Sequence, residues 1–152
     1  MIPQANEADK KLRNRALYYL AKREYSFHEL VNKTLNYAEE LGLNKKDCEF
    51  IISKLREQNL QSDQRFCESY INSKKNKFGA QKIVFELTQK GVSEDLVATF
   101  IGELVNNEYD LALQVWNKKY SHATQDINEK AKQIRFMQSR GFSFETIKKI
   151  IK

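Results

Sequence analysis

Residues 60–92 read L-Q-S-D-Q-R-F-C-E-S-Y-I-N-S-K-K-N-K-F-G-A-Q-K-I-V-F-E-L-T-Q-K-G-V. Two helical patterns meet at Phe78-Gly79, and a third begins after Gly91. Phe66, Cys67, Tyr70 and Ile71 recur at helical spacing, as do Ile83, Val84 and Leu87. Ser62 or Asp63 is placed to cap the first of these helices, and an acid there also suits the positive end of the helix dipole. Phe85 points off its stripe and is expected to plug a neighbouring unit.

The same pattern extends in both directions. Towards the C-terminus, Ser93 caps a helix whose apolar face is Leu96, Val97, Phe100, Ile101 and Leu104. Asn106-Asn107 breaks it, and Leu111, Ala112, Val115 and Trp116 build the next helix. Trp116 reads as a core anchor. Ile127, Ala131, Ile134 and Met137 or Gln138 mark a longer helix ended by Arg140-Gly141, and Ser143 caps a last one carrying Ile147, Ile150 and Ile151. Towards the N-terminus, Leu12, Ala16, Leu17 and Leu20 line a helix over residues 10–23. Ser26 with Glu29 three residues on is a capping box, followed by Phe27, Leu30, Val31, Thr34 and Ala38 on one face. Gly42 stops that helix, Asn44 caps the next, and Cys48, Ile51, Ile52 and Leu55 face inward. Residues 1–9 lack the regions of a secretory signal and read as a flexible leader.

The punctuation repeats. Tyr25-Ser26, Phe78-Gly79 and Tyr120-Ser121 each precede a second helix, and Gly42, Gly91 and Gly141 each precede a third, at intervals of 49 and 50 residues. The expected fold is all-α: three tandem three-helix units, helix-turn-helix-like, over residues 10–58, 60–104 and 107–152, elongated and curved. A single unit buries little by itself, so stacking must supply much of the stability.

Among the 152 residues, 26 basic and 20 acidic side chains give a net charge of +6. That excess suits an acidic partner, nucleic acid or an acidic protein surface, and equally a solvated basic face. It grows along the chain, from +1 over residues 1–50 to +3 over residues 101–152. With no long apolar run, no membrane span is expected, and two distant cysteines, Cys48 and Cys67, read as a buried reduced pair in a cytoplasmic protein. No phosphate loop or dinucleotide fingerprint is present. His28 and His122 stand apart, Ser93-Glu94-Asp95 reads as a helix start, and Asp63 and Glu68 fall on poorly matched helix faces. No catalytic, cofactor or metal site is therefore assigned, and the chain reads as a binding protein rather than an enzyme.

Two basic groups are the candidate contacts. Arg65, Lys74, Lys75, Lys77 and Lys82 cluster about the turn between the two central helices; Arg135, Arg140, Lys148 and Lys149 lie near the last turn. Lys74, Lys75 and Lys77 sit where a helix dipole favours cations, which by itself could account for them; recognition of phosphates or partner carboxylates is the alternative. A general helical DNA-binding regulator is the competing function, although no recognition helix with base-reading side chains stands out.

Asp63-Gln64-Arg65-Phe66, followed by Lys77-Phe78-Gly79-Ala80-Gln81-Lys82-Ile83, Glu86-Leu87 and Lys90-Gly91-Val92, resembles the bacterial RecX regulatory family. The early A-L-Y-Y-L-A-K-R-E-Y-S-F-H-E-L and the final R-F-M-Q-S-R-G-F-S-F-E-T-I resemble that family's opening and closing stretches, so the likeness spans roughly residues 12–151. It implies stacked three-helix units and a monomeric modulator of the RecA recombinase. The modulator would bind RecA or the groove of RecA–single-stranded DNA filaments, with DNA itself a further possible partner. Recombination and the associated coprotease activity would be restrained. Asp63, Arg65, Phe66, Gly79, Lys82, Ile83, Leu87 and Gly91 match the family signature. Of these, Phe66, Ile83 and Leu87 are expected to hold the unit together, Gly79 and Gly91 to shape turns, and Arg65 and Lys82 to be freer to meet a partner. The chain departs from the family pattern where Asn59 and Ser62-Asp63 replace a glycine and an acidic pair.

Overall fold

The computed structural model describes the backbone of residues 2–152 and side chains from Glu7 onward. Nine α-helices follow in order among these residues: α1 (Ile2–Lys22), α2 (Phe27–Glu40), α3 (Lys45–Glu57), α4 (Asp63–Lys74), α5 (Ala80–Gln89), α6 (Glu94–Asn106), α7 (Glu108–Lys119), α8 (Ile127–Ser139) and α9 (Phe144–Ile150). They form three-helix repeats, as the punctuation predicts. Gly42, Gly91 and Gly141 all take positive φ, +80°, +82° and +90°, the left-handed conformation that glycine reaches without a Cβ penalty. Asn59 does the same at φ +62°, a role that asparagine tolerates better than most residues.

Two compact units emerge. The first is Met1–Ser69 with Lys90–Val92, and the second is Tyr70–Gln89 with Ser93–Lys152. The division does not follow the repeat boundaries read from the sequence. The start of α4 and the turn at Gly91 go with α1–α3, because both pack on the first turn of α2. In the first unit α1, α2 and α3 pack against one another around Leu12, Ala16, Leu30, Ala38, Cys48, Ile52 and Leu55, all fully buried. Burial of each leucine or isoleucine contributes about 1.5–3 kcal/mol, so these three helices hold a core of their own. In the second unit α5 packs on α6, and α9 on α7 and α8. Its last repeat is centred on Ala112, Met137, Phe142 and Ile147, with Trp116 donating its indole N–H to Gln133 Oε1 at 3.1 Å.

Several expectations are corrected. The first helix begins at Ile2, through the stretch read as a leader. Pro3 lies in its first turn, where a backbone N–H has no intrahelical partner to lose. Phe85 does not plug a neighbour; it is 63% exposed. The face assigned to α6 is buried only at Val97, and Ile101 is exposed. Ile127, one of the residues whose spacing marks α8, is 80% exposed at the N-terminus of that helix. That helix starts six residues beyond Ser121, so Tyr120-Ser121 ends α7 rather than opening α8. Helical periodicity identifies the apolar face but not whether a neighbour covers it.

Candidate functional site

One junction is built twice, with different chemistry. In the first unit the first turn of α2 receives two later segments. The Ser26 hydroxyl accepts from Glu29 N at 3.0 Å, closing the capping box, and donates to the Lys90 carbonyl at 2.7 Å. Asp63, at the start of α4, accepts from Phe27 N at 2.8 Å. Ser62 therefore takes the capping role in α4, accepting from Arg65 N, while Asp63 caps α2. Gly91 lies against His28, and a Cβ there would fall 2.5 Å from the His28 Cβ. In the second unit Glu108, at the start of α7, accepts from Ala80 N at 3.1 Å. Its other oxygen accepts from Ser143 N at 3.1 Å and from the Thr146 hydroxyl at 2.8 Å. Gly79 N donates to the Arg140 carbonyl at 2.7 Å, and Gln81 N to that of Gly141 at 3.2 Å. A Cβ on Gly141 would come within 2.6 Å of Lys82 N, and one on Gly79 would come 2.5 Å from the Gly141 carbonyl oxygen.

The charges differ as much as the hydrogen bonds. The three ion pairs among the described residues all lie in the first unit: Arg23–Glu29 at 3.3 Å, Lys90–Glu29 at 3.2 Å and Arg65–Glu24 at 3.0 Å. Burial opposes the Glu29 charge, but Arg23, the Ser26 N–H and Lys90 outweigh it and hold the carboxyl below its ordinary range. Cations stand over aromatic rings in both units. In the first, Arg23 lies 3.6 Å from the Tyr25 ring centre and Arg15 3.9 Å from that of Tyr37. In the second they do so without a carboxylate partner among the described residues. Lys82 Nζ stands 4.4 Å from the Phe78 ring centre, with Lys74 Nζ and the Arg140 guanidinium each 5.8 Å away. Lys119 Nζ and Arg140 stand 4.7 and 4.9 Å from Phe136. Such contacts hold a cationic head in place without neutralising it.

The structure thus regroups the candidate residues. Lys74, Lys82 and Arg140, from both sequence patches, meet around Phe78, while Lys75 and Lys77 are exposed in the turn after α4. Lys82 also donates to the Ser139 carbonyl at 3.4 Å, and Arg140 to that of Lys77 at 3.5 Å. Arg65 is engaged within its own unit, by Glu24 and by Asn59 Oδ1 at 3.0 Å. Arg135, Lys148 and Lys149 are exposed on α8 and α9, and Lys148 lies 5.4 Å from Phe144. Two further cations, absent from both sequence patches, join them. Lys118 and Lys119 line a cleft of about 330 Å³ with Asn76, Lys77, Val115, Phe136 and Arg140. Nothing in the sequence singles them out, since a basic pair in the last turn of a helix is what its dipole favours.

The signature residues divide between core and junction. Phe66, Ile83 and Leu87 are buried, while Asp63, Gly79, Lys82 and Gly91 sit at the junctions. Cys48 and Cys67 are free and buried, and burial raises both thiols, Cys67 to about 11, so neither is a nucleophile at neutral pH. Among the described residues no group of three His, Cys, Asp or Glu side chains could hold a metal, and no helix is long and apolar enough to cross a membrane. What the second unit offers is positive charge held at fixed positions.

Comparison with known proteins gives this arrangement its context. Residues 62–99 match the family model for the second three-helix domain of RecX, and residues 106–151 match the third. The chain is 37% identical over 136 residues to a regulatory protein RecX of Herminiimonas arsenicoxydans, covering 90% of this chain and 87% of that one. It is 35% identical to the regulatory protein RecX of Herbaspirillum seropedicae, covering 90% and 86%. The crystal structure of RecX from Lactobacillus salivarius shares the fold, with a TM-score of 0.76 over 95% of both chains at 24% identity. Matched in its second and third three-helix domains, and to a relative over nine-tenths of its length, the chain belongs to the RecX family.

Proposed function

We propose that this protein is a non-catalytic regulator of the RecA recombinase. It binds RecA or RecA–single-stranded DNA filaments and restrains both recombination and coprotease activity. The observation that carries this reading is the likeness, over about nine-tenths of the chain, to proteins named as RecX regulators. The cations around Phe78 support it: Lys74, Lys75, Lys77, Lys82 and Arg140 lie on one unit, and none forms an ion pair with a carboxylate among the described residues. A filament presents both phosphates and protein carboxylates at regular intervals. Several modest electrostatic contacts on linked repeats then add through effective concentration, with no need for a deep pocket.

RecA-dependent ATP hydrolysis and strand exchange, measured with added protein, test the proposal and give its sign. Both should fall as the protein is added. Binding to preassembled filaments, compared with free RecA and free DNA over a salt series, should weaken steeply with salt. No association with filaments at low salt would sink the reading. Tight binding to naked DNA with no effect on RecA would instead identify a general DNA-binding regulator. Charge reversal at Lys74, Lys75 and Lys77 should weaken filament binding at unchanged helicity. Lys82 is left out of that variant because its stem packs at Gly141.

A further inference from the structure

We infer that the cleft between the ends of α4, α7 and α8 is a seat for a phosphodiester backbone of single-stranded nucleic acid, held by Lys77, Lys118, Lys119 and Arg140. The four cations come from three helix C-termini. Lys118 and Lys119 occupy the last turn of α7, Arg140 caps α8, and Lys77 follows the end of α4. Together with Asn76, Val115 and Phe136 they line about 330 Å³, room for on the order of ten water volumes. No carboxylate lines it.

Helix ends alone do not account for this charge. Each C-terminus offers roughly half a negative charge, so three offset less than half of four full positive charges. At the first junction Arg23 and Lys90 meet Glu29, and nearby Arg65 meets Glu24. In the cleft no carboxylate is present, and two of the four heads lean on an aromatic ring. Phe136 holds Lys119 and Arg140 at 4.7 and 4.9 Å and is itself braced edge-on by Tyr120, ring centres 5.9 Å apart. Lys119 and Arg140 are thus held in position without a carboxylate partner, and Lys77 and Lys118 are exposed beside them, an arrangement suited to recognition of a polyanion. A fixed guanidinium beside clustered ammonium groups favours phosphate over base edges, so sequence preference is not expected.

This inference rests on the filament reading for its biological setting, but its test does not. The full-length protein is titrated with a ten-nucleotide oligothymidylate and, separately, with an oligoglutamate of equal charge, while backbone amide resonances are followed. The oligonucleotide should shift the amides of Lys77, Lys118, Lys119 and Arg140, and the oligoglutamate should not. K118Q/K119Q should lower the slope of log affinity against log salt by about 1.4, at roughly 0.7 for each phosphate of a single strand that is no longer neutralised. K45Q/K46Q, which removes two exposed charges from the first turn of α3, should leave that slope unchanged. The amide spectrum of each variant reports whether it is folded. An unchanged slope in K118Q/K119Q, or equal shifts with oligoglutamate, would overturn the assignment. Oligonucleotide binding that depends on Lys118 and Lys119, in a protein without effect on RecA, would uphold the seat and refute the filament reading.

Discussion

The two junctions place equivalent segments together by different means. At the first, a side-chain hydroxyl, Ser26, reaches the carbonyl that precedes the turn glycine; at the second, the backbone N–H of Gly79 does so, both at 2.7 Å. An acid opening the following repeat caps the earlier helix in each, Asp63 at Phe27 and Glu108 at Ala80. The first junction engages its cations internally, with Lys90 and Arg23 on Glu29. The second is closed by backbone contacts and neutral donors, so Lys82 and Arg140 are left on aromatic rings. Acids help close both junctions, but only at the first does one meet cations; Lys82 and Arg140 at the second have no carboxylate partner among the described residues.

Breaking the backbone contacts should have the largest effect. Gly141→Ala adds a left-handed penalty and drives a Cβ into the Lys82 backbone, so a loss of about 3 kcal/mol or more is expected in denaturant unfolding. Gly42→Ala carries the same positive φ with nothing within 4 Å, and should cost only about 1 kcal/mol. Equal losses in the two variants would refute the close-packed second junction. The acids come next. Glu108→Ala strands three donors, two backbone N–H groups and a hydroxyl, and should cost about 2–4 kcal/mol. Asp63→Ala removes the acceptor for Phe27 N and Gln61 Nε2, and should cost less, about 1–2 kcal/mol.

A smaller effect concerns pH. Glu29 has a folded pKa below its unfolded value, so its contribution is present above the ordinary carboxylate range and lost as pH falls through the folded value. Glu29→Gln should therefore flatten the acid limb of the stability profile, and an unaltered limb would remove Glu29 from the first junction's electrostatics. The smallest signal comes from the thiols. Cys67, held at about 11 by burial, should resist alkylation at neutral pH until its surroundings open. Because both cysteines lie in the first unit, Gly91→Ala should speed labelling more than Gly141→Ala at matched total stability.

Much of the architecture was legible because local chemistry fixed it. Ser26 with Glu29, Asn44 with Asp47 and Ser93 cap helices through contacts only three residues apart, which spacing alone reveals. The repeating glycines carried the left-handed turns. The candidate site was legible only in part. Arg65 and Lys82 share a signature, yet one is engaged by Glu24 and Asn59 and the other stands over Phe78. Lys118 and Lys119 gave no distinct signal, because a basic pair at a helix end looks like dipole compensation until other helix ends are found beside it.

The sequence by itself determined the helices, their caps and their turns, since each depends on interactions within a few residues. It also determined the family, through motifs spread along the chain. Only the tertiary structure decided that Asp63 and Glu108 cap helices 36 and 28 residues away, that Phe85 and Ile127 lie exposed, and that Arg140 joins Lys77 and Lys119. Those outcomes depend on which surfaces meet across long separations, and periodicity carries no record of the partner on the other side.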